Sequence, residues 1–209
     1  MPDQETGARL PFRMGAVVLA AGGSSRMGAV KQLLELEGRP LIVRAVDAAL
    51  GAPASPVVVV LGADAERVRA PIARHPVSVV VNPEWSSGIA SSIRAGMAAL
   101  LAADPGLDAV LVALCDQPAL SPEIIGRLAG LHRATGRIAA ARYDGRNGAP
   151  AVFGRRHFAA LGSLEGDAGA RRLLNGSPGS VAAADIPEMG VDLDTPADCK
   201  AWMSRKPRP

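Results

Sequence analysis

The sequence has few aromatic residues and no concentrated positive charge. Only 3% of its 209 residues are Phe, Trp or Tyr, and its 23 Lys and Arg residues are scattered along the chain. Proteins that bind nucleic acids combine a basic surface with aromatic side chains on which bases stack. The sequence therefore predicts no nucleic-acid partner.

Residues that bind transition metals or form disulfides are few and far apart. Cys115 and Cys199 match no metal-ligand spacing and no disulfide framework. None of the three histidines pairs with another at zinc-ligand spacing. We recognise no signal peptide and no apolar run of about 18 residues. We therefore expect a cytoplasmic protein with no membrane partner and no transition-metal chemistry.

Apolar, β-branched runs alternate with helical patterns over the first two thirds of the chain. The length and the 48% hydrophobic content suit one sizeable α/β domain. Periodicity predicts strands at 15–20, 57–61, 77–81 and 108–114, and helices at 40–50, 64–74, 90–102 and 121–134. The strands are almost continuously apolar, which indicates a mainly parallel sheet covered on both faces.

The periodicity weakens after residue 135. Here the sequence predicts a strand at 138–142, a turn at 144–148, a short strand at 150–153, and helices near 155–162 and 168–175. We interpret this part as the substrate side of the domain. Residues 1–13 and 204–209 are polar or Pro-rich, and we expect them to be flexible.

A glycine-rich turn with two basic residues follows the first predicted strand. Gly22 and Gly23 allow backbone N–H groups to approach an anion closely, and Arg26 and Lys31 add full positive charges. The segment is not a Walker A loop, because no Lys-Ser/Thr pair follows Gly28, and it lacks the dinucleotide G-x-G-x-x-G spacing. It is a candidate triphosphate-binding loop, the alternative being a simple strand-to-helix connection.

Asp116 is the first candidate metal ligand. It follows the predicted strand at 108–114, where a carboxylate is costly unless it is paired or hydrogen-bonded. Capping of the next helix does not explain it well, because Ser121 before Pro122 is the better cap. Mg²⁺ is usually bound by one or two carboxylates together with substrate phosphates, and Asp116 fits this role.

A second acidic cluster lies near the end of the chain. Alternation places Asp192 and Asp194 on one face of a short predicted strand. Asp194 or Thr195 can cap a helix that begins at Pro196, and capping alone could explain Asp194. Asp192 has no such explanation and is either a second magnesium ligand or a solvated surface acid.

Several polar residues are candidates for contacts with substrates. Ser91 and Ser92 lie where the loop after Gly88 enters a helix, and their hydroxyls could cap the helix, contact a base or ribose, or do both. In the later part of the chain, three charged residues could bind a second, anionic substrate or could be ordinary surface charges. They are Arg146, Asp167 and Arg171.

Five segments together resemble the MobA-like nucleotidyltransferase family, and most closely its molybdenum cofactor cytidylyltransferase branch. They are Leu19-Ala20-Ala21-Gly22-x-Ser24-x-Arg26-Met27-Gly28 with Lys31, Asn82…Gly88-x-x-Ser91-Ser92, Asp116-Gln117-Pro118, Gly166-Asp167-x-Gly169-Ala170-Arg171 and Asp192-x-Asp194-Thr195-Pro196. The resemblance implies a three-layer α/β/α, Rossmann-like fold with a mostly parallel mixed sheet. It implies a single domain over 14–203, with a nucleotide part at about 14–134 and an acceptor part at about 135–203.

The resemblance also implies a reaction. CMP would be transferred from CTP to the terminal phosphate of molybdopterin carrying molybdenum, with Mg²⁺ as cofactor, release of pyrophosphate, and a molybdenum hydroxylase as the client enzyme. The implied catalytic residues are Arg26, Lys31 and Asp116, and the implied metal ligands are Asp116 and Asp192. The implied nucleotide-binding residues are Leu19, Ala20, Ala21, Gly22, Gly23, Ser24, Arg26, Lys31, Gly88 and Ser92. Arg146, Asp167 and Arg171 would bind the acceptor.

One departure weakens the assignment of the acceptor. The branch often has Gly-His-Pro where this chain has Gly148-Ala149-Pro150, so a contact from that histidine is absent. The base preference stays open. The alternatives are a nucleotidyltransferase with another small phosphate acceptor, an NAD(P)-dependent oxidoreductase relative on the same scaffold, and a non-catalytic carrier of the cofactor.

Overall fold

The computed structural model describes residues 11–23, 30–176, 179–193 and 196–204. Ser24, Arg26 and Asp194, which the sequence analysis singled out, lie outside these ranges. Within them, no helix is long and apolar enough to cross a lipid bilayer.

A central mixed sheet organises the described chain. Its strands have the spatial order β5-β4-β1-β6-β8-β7-β9, and only β8 runs antiparallel to its neighbours. The strands are β1 (Met14–Ala20), β4 (Val57–Leu61), β5 (Ser78–Val81), β6 (Ala109–Leu114), β7 (Ile138–Tyr143), β8 (Arg146–Gly154) and β9 (Val181–Asp185); β2 (Glu35–Leu36) and β3 (Arg39–Pro40) form a separate small hairpin.

Helices cover both faces of this sheet. They are α1 (Leu41–Leu50), α2 (Ala65–Arg69), α3 (Ile89–Ala103), α4 (Pro122–Thr135), α5 (Phe158–Gly162), α6 (Arg171–Asn175) and α7 (Pro196–Met203). One core cluster lies between the sheet and α1 and α4, and another lies between the sheet and α3, α5 and α6. Successive residues of β1 alternate between the two clusters, as the period of a strand requires. The predicted three-layer α/β/α fold is confirmed.

The strand order places a switch point beside β1. The chain leaves β1 for β4 and β5 on one side and then returns to pair β6 with the other side of β1. Crossovers in opposite directions leave a crevice at the carboxyl ends of the two adjoining strands, and open α/β sheets bind ligands there. Because β8 is antiparallel, it begins at this same edge, so Arg146 is brought to the crevice side of the sheet.

The structure corrects several boundaries. The β2–β3 hairpin and β9 were not predicted, because two-residue strands carry no periodicity and the Ala-rich β9 has low strand propensity. The predicted turn at 144–148 is only Asp144-Gly145, with φ of 49° and 73°, which is the two-residue hairpin geometry that Asp-Gly favours.

One predicted helix also needs correction. The helix predicted at 64–74 is α2 followed by a short 3₁₀ turn at Ala70–Ile72, because Pro71 lacks the N–H that a continuing helix needs. Within the segment 1–13, Phe12 packs against the core and the backbone N–H of Arg13 donates to Asp108 Oδ2 at 2.9 Å.

Gly96 sets how closely α3 approaches the sheet. A Cβ atom added there would lie 2.4 Å from Val17 Cγ1 and 3.0 Å from Val60 Cγ2, and both valines are fully buried. We expect Gly96→Ala to lower the free energy of unfolding by about 1–3 kcal/mol through overpacking. Urea denaturation measures this change.

Gly130→Ala is the matched control for Gly96→Ala. Gly130 also lies in a helix, but a Cβ atom there meets nothing within 4 Å. The better helix propensity of alanine should raise stability by up to about 1 kcal/mol. Equal urea midpoints for the two variants would contradict the packing argument.

Candidate active site

A cavity of about 380 Å³ lies at the carboxyl ends of β1 and β6. Its floor is the backbone from Leu19 to Gly23. The wall on the side of α1 includes Lys31, Gln32, Cys115 and Asp116. The wall on the side of α3 includes Trp85, Ser86, Gly88, Ile89, Ser92 and Asp167. The cavity occupies the predicted position at the switch point.

An ion pair stands in the wall on the α1 side. Lys31 Nζ lies 2.7 Å from Asp116 Oδ2, and the two side chains are 14% and 24% exposed. Asp116 Oδ1 is buried, and no described residue makes a hydrogen bond to it. A buried carboxylate oxygen without a partner is costly, unless a cation or donor that arrives with a ligand satisfies it. Asp116 is therefore suited to bind a hard metal ion.

A backbone hydrogen bond joins the segment that contains Asp192 to Asp116. Leu193 N donates to the carbonyl of Asp116 at 3.1 Å, which ties the chain around 191–193 to the end of β6. The predicted short strand is wrong, since residues 191–193 adopt no strand and Asp192 is exposed. The described chain contains no group of three or more His, Cys, Asp or Glu that could bind a metal. A metal here would have few protein ligands, as Mg²⁺ sites with substrate phosphates do.

Gln32 holds the backbone of the cavity floor in place through two hydrogen bonds. Its Nε2 donates to the carbonyl of Ala20 at 3.0 Å and to the carbonyl of Gly22 at 2.7 Å, and the residue is 4% exposed. These two carbonyls point toward Gln32, so the ends of the glycine-rich segment are connected through one buried side chain. The neighbouring Lys31 is positioned by the same short 3₁₀ turn, Lys31–Leu33.

We expect Gln32→Leu to lower both the free energy of unfolding and the affinity for a nucleotide. The change leaves the buried carbonyl of Ala20 and the part-buried carbonyl of Gly22 without this donor, and such a loss costs about 1–3 kcal/mol of unfolding free energy. Thermal unfolding and calorimetric titration with a nucleoside triphosphate measure the two effects. Gln32→Glu keeps the shape but cannot donate, so it should be at least as damaging, and wild-type affinity in that variant would disprove the role of the donor.

A buried polar network lies behind the α3 wall. Asn82 Nδ2 donates to Ser91 Oγ at 2.9 Å and to Ser92 Oγ at 3.0 Å, and all three residues are 4% exposed. The single proton of the Ser91 hydroxyl is shared between the carbonyls of Glu84 and Gly88, which lie 2.9 and 2.8 Å from Oγ. The capping alternative for the two serines is wrong, since in the described structure no side chain caps the start of α3.

Gly88 brings the segment around Asp167 into the same cavity. Its φ of 113° is accessible to glycine but rarely to other residues, and a Cβ atom there would lie 2.4 Å from Asp167 Oδ1. Ala90 N donates to the carbonyl of Gly166 at 3.2 Å, which joins the two loops. Asp167 therefore lines the cavity that also contains Lys31 and Asp116.

Arg146 and Arg171 lie on two segments that are joined by a reciprocal asparagine pair. Asn147 N donates to Asn175 Oδ1 at 3.1 Å, and Asn175 Nδ2 donates to the carbonyl of Asn147 at 3.1 Å. Asn147 belongs to β8 and Asn175 to α6, so the pair fixes the two arginine-bearing segments together. The two arginines are exposed, as binding of an anionic substrate from solvent requires.

The charges of Arg146, Arg171 and Asp192 all act on the hydroxyl of Tyr143. Burial first, and then the charge of Asp192, raise the pKa of the Tyr143 hydroxyl, while Gln117, Arg146 and Arg171 act in the opposite direction. The phenol therefore stays protonated and can donate a hydrogen bond. Gln117, 2% exposed, donates to the carbonyls of Ala149 and Met189, both at 3.0 Å, and so fixes the surrounding loops.

Six of the residues that line the cavity were not predicted as site residues from the sequence: Gln32, Trp85, Ser86, Ile89, Leu114 and Cys115. Gln32 and Cys115 each adjoin a residue that was singled out, but neither has a motif of its own. Trp85 packs beside Gly62, directly after β4, and beside Gly23. Only 3% of the residues are aromatic, so a tryptophan between two predicted elements could have indicated a functional position. Burial and the adjacent Asp116 raise the pKa of the Cys115 thiol strongly, so it is no nucleophile.

The fold and the cavity define an α/β protein with a pocket beside a glycine-rich turn, at the switch point of its sheet. The particular family is clear from comparison with known proteins: residues 16–185 match the MobA-like NTP transferase domain, and the chain belongs to this family. It is therefore a nucleotidyltransferase, and the resemblance seen in the sequence is confirmed.

Several characterised proteins are similar to the chain over most of its length. Nicotine blue oxidoreductase of Paenarthrobacter nicotinovorans is 40% identical over 86% of this chain and 91% of its own. Purine catabolism protein PucB of Bacillus subtilis is 32% identical over 91% of this chain and 95% of its own. The crystal structure of Rv0371c from Mycobacterium tuberculosis superposes with a TM-score of 0.80 at 29% identity, covering 93% of this chain and 98% of that one. A second structure of Rv0371c is a complex with manganese.

Proposed function

We propose that the protein is a magnesium-dependent cytidylyltransferase that transfers CMP from CTP to the terminal phosphate of molybdopterin carrying molybdenum. The observation that carries the proposal is the Lys31–Asp116 ion pair at the wall of a cavity whose floor is a glycine-rich turn. A cation, a carboxylate and the backbone N–H groups of a glycine-rich turn at one place are what a nucleoside triphosphate and its metal require. The alternation of segments further suggests one domain over 14–203, with the nucleotide at 14–134 and the acceptor at 135–203.

The reaction needs positioning and charge neutralisation more than covalent chemistry. An oxygen of the acceptor phosphate attacks the α-phosphorus of CTP, the bond to the β-phosphate breaks, and pyrophosphate leaves with the electron pair. Negative charge builds up on the α-phosphate and on the leaving group. Lys31 and, from the resemblance, Arg26 supply the compensating positive charge.

The residues present fit a divalent metal. Asp116 offers a buried oxygen without a partner in the described chain, and Asp192 lies in a segment hydrogen-bonded to Asp116. These two carboxylates would bind the ion, which when bound neutralises phosphate charge and orients the triphosphate. Lys31, which is paired with Asp116 here, is then available to contact a phosphate.

The positive charges in the proposed acceptor part of the domain favour an anionic second substrate. Arg146 and Arg171 supply positive charge on segments joined by Asn147 and Asn175. Tyr143 is a neutral donor close to both arginines. A phosphate acceptor needs no general base to remove a proton before it attacks, and a protonated phenol is consistent with this. Asp167 would contact the acceptor or the end of the nucleotide nearest to it.

The test is pyrophosphate release by the purified protein with Mg²⁺ and each of the four nucleoside triphosphates in turn. Molybdopterin loaded with molybdenum is the expected acceptor, and a sugar 1-phosphate is the competing one. Release with CTP and the molybdopterin acceptor alone supports the proposal. Release only with the sugar phosphate would move the acceptor to another class, and no release with any triphosphate would reject nucleotidyl transfer to either acceptor.

A second candidate function comes from the 40% identical relative, whose name describes an oxidoreductase. A chain with that activity would bind a nicotinamide dinucleotide and oxidise or reduce a small substrate. The Lys31–Asp116 pair favours a triphosphate and metal instead. Titration with NADPH and NADH distinguishes the two, because tight binding of either without binding of any triphosphate would favour the oxidoreductase.

A further inference from the structure

Among the described residues, Ser92 Oγ accepts a hydrogen bond but donates none. Ser92 Oγ accepts a hydrogen bond from Asn82 Nδ2 at 3.0 Å, so its own proton must point elsewhere. Within the described ranges, no group accepts that proton. The residue is 4% exposed and lines the cavity. A buried hydroxyl normally finds an acceptor, which indicates that a ligand supplies it.

The orientation of the Asn82 amide is fixed by its other bonds. Asn82 Oδ1 accepts from Glu84 N at 3.0 Å, so the amide nitrogen must face the serines. Each of its two protons has one serine oxygen as acceptor. Since Asn82 can only donate in this direction, Ser92 can only accept from it and must donate into the cavity.

The position of Ser92 identifies the part of the ligand that it meets. Lys31 and Asp116 lie in the α1 wall, where we placed the triphosphate and its metal. Ser92 lies in the opposite α3 wall with Trp85 and Ile89, which are apolar surfaces suited to a base or ribose. The acceptor atom is therefore on the nucleoside, either a ring nitrogen or carbonyl of the base or an oxygen of the ribose.

We infer that Asn82 is a positioning residue that fixes the Ser92 hydroxyl as a hydrogen-bond donor to the nucleoside. This rests on the proposed nucleotide binding but not on the identity of the acceptor. Asn82 does not line the cavity and acts only through Ser92. The hydroxyl proton of Ser91, the other partner of Asn82, is already shared between two backbone carbonyls, so Ser91 provides a matched control.

The experiment is calorimetric titration of wild-type protein and variants with CTP and Mg²⁺, and separately with inorganic tripolyphosphate and Mg²⁺. We expect Ser92→Ala to weaken CTP binding by about two- to tenfold, the size of one lost hydrogen bond. Ser91→Ala should change it less than about twofold, since that serine makes no ligand contact. Asn82→Asp should weaken CTP at least as much as Ser92→Ala, because a carboxylate would attract the Ser92 proton away from the cavity.

Two results separate positioning from general damage to the fold. Tripolyphosphate affinity should be unchanged in all these variants, because it binds in the opposite wall. The double variant Asn82→Asp/Ser92→Ala should bind CTP no more weakly than Asn82→Asp alone, since both changes remove the same bond. If Asn82→Asp fails to fold, Asn82→Ala replaces it in the experiment. In Asn82→Ala the Ser92 hydroxyl rotates freely and can still donate to the ligand. We therefore expect a smaller loss of CTP affinity than in Asn82→Asp.

Wild-type affinity for CTP in either Ser92→Ala or the Asn82 variant would overturn the inference. Equal losses of CTP and tripolyphosphate affinity would also overturn it, because the effect would then be structural. If the wild-type protein binds no nucleoside triphosphate at all, the proposed function fails and the inference with it. Normal binding by wild type with unaffected variants would leave the proposed function intact and reject the inference alone.

Discussion

Asp116→Asn is expected to lower kcat for nucleotidyl transfer by about 10²–10³-fold. The variant keeps the volume of the side chain but removes its charge, and with it the buried oxygen that has no partner in the described chain. An amide is a much weaker ligand for Mg²⁺ than a carboxylate. The apparent affinity for the metal should therefore fall together with kcat. Steady-state pyrophosphate release at a series of Mg²⁺ concentrations measures both.

Asp47→Asn is the matched control for this prediction. Asp47 is also an ion-paired carboxylate, but it lies in α1 beside Arg39 and His75 and outside the cavity. Exposed ion pairs contribute little to stability, so this variant should have nearly wild-type rates. Near-normal turnover in Asp116→Asn would exclude Asp116 from the mechanism.

Lys31→Met is expected to lower kcat by a similar factor, about 10²–10³-fold, but to have the opposite effect on the affinity for Mg²⁺. The change removes the cation that would neutralise the triphosphate. It also frees Asp116 Oδ2 from a 2.7 Å ion pair, so that Lys31 no longer competes with Mg²⁺ for the carboxylate. The affinity for Mg²⁺ should therefore be equal to or higher than that of wild type. A metal titration monitored by calorimetry, alongside the rate assay, tests this combination.

Arg142→Met provides the comparison for Lys31→Met. Arg142 is half-exposed and its Nε donates to Asp185 Oδ1 at 2.6 Å, outside the cavity. Its loss should leave both kcat and metal affinity close to wild type. Parallel losses of metal affinity in Lys31→Met and Asp116→Asn would mean that Lys31 supports the metal site instead of competing with it.

The parallel half of the fold could be predicted from the sequence because its strands are buried on both faces. The run Val57–Leu61 is entirely buried and entirely apolar, so composition alone marks it as a central strand. The cavity lies where the rule for switch points places ligands, and Lys31 and Asp116 form an ion pair in its wall.

The elements that were missed lack such a signal. β9 is an alanine-rich edge strand with weak β propensity, and it is recognised only by its pairing with β7. Gln32 could not be predicted as a link between Ala20 and Gly22, because a side chain that bonds to backbone carbonyls leaves no pattern in the sequence. Asn82 and Ser92 are ten residues apart, and their contact depends on how the loop after β5 enters α3.

The hydrogen bond from Leu193 N to the Asp116 carbonyl joins two parts of the chain that are far apart in the sequence. Every strand of the sheet and every described residue that lines the cavity precede the segment at 191–193. The cavity and the second candidate carboxylate, Asp192, are therefore supplied by separate parts of the chain. Under the proposed metal role, a change that loosens the segment at 191–193 would lower the affinity for Mg²⁺ and leave the lining of the cavity in place.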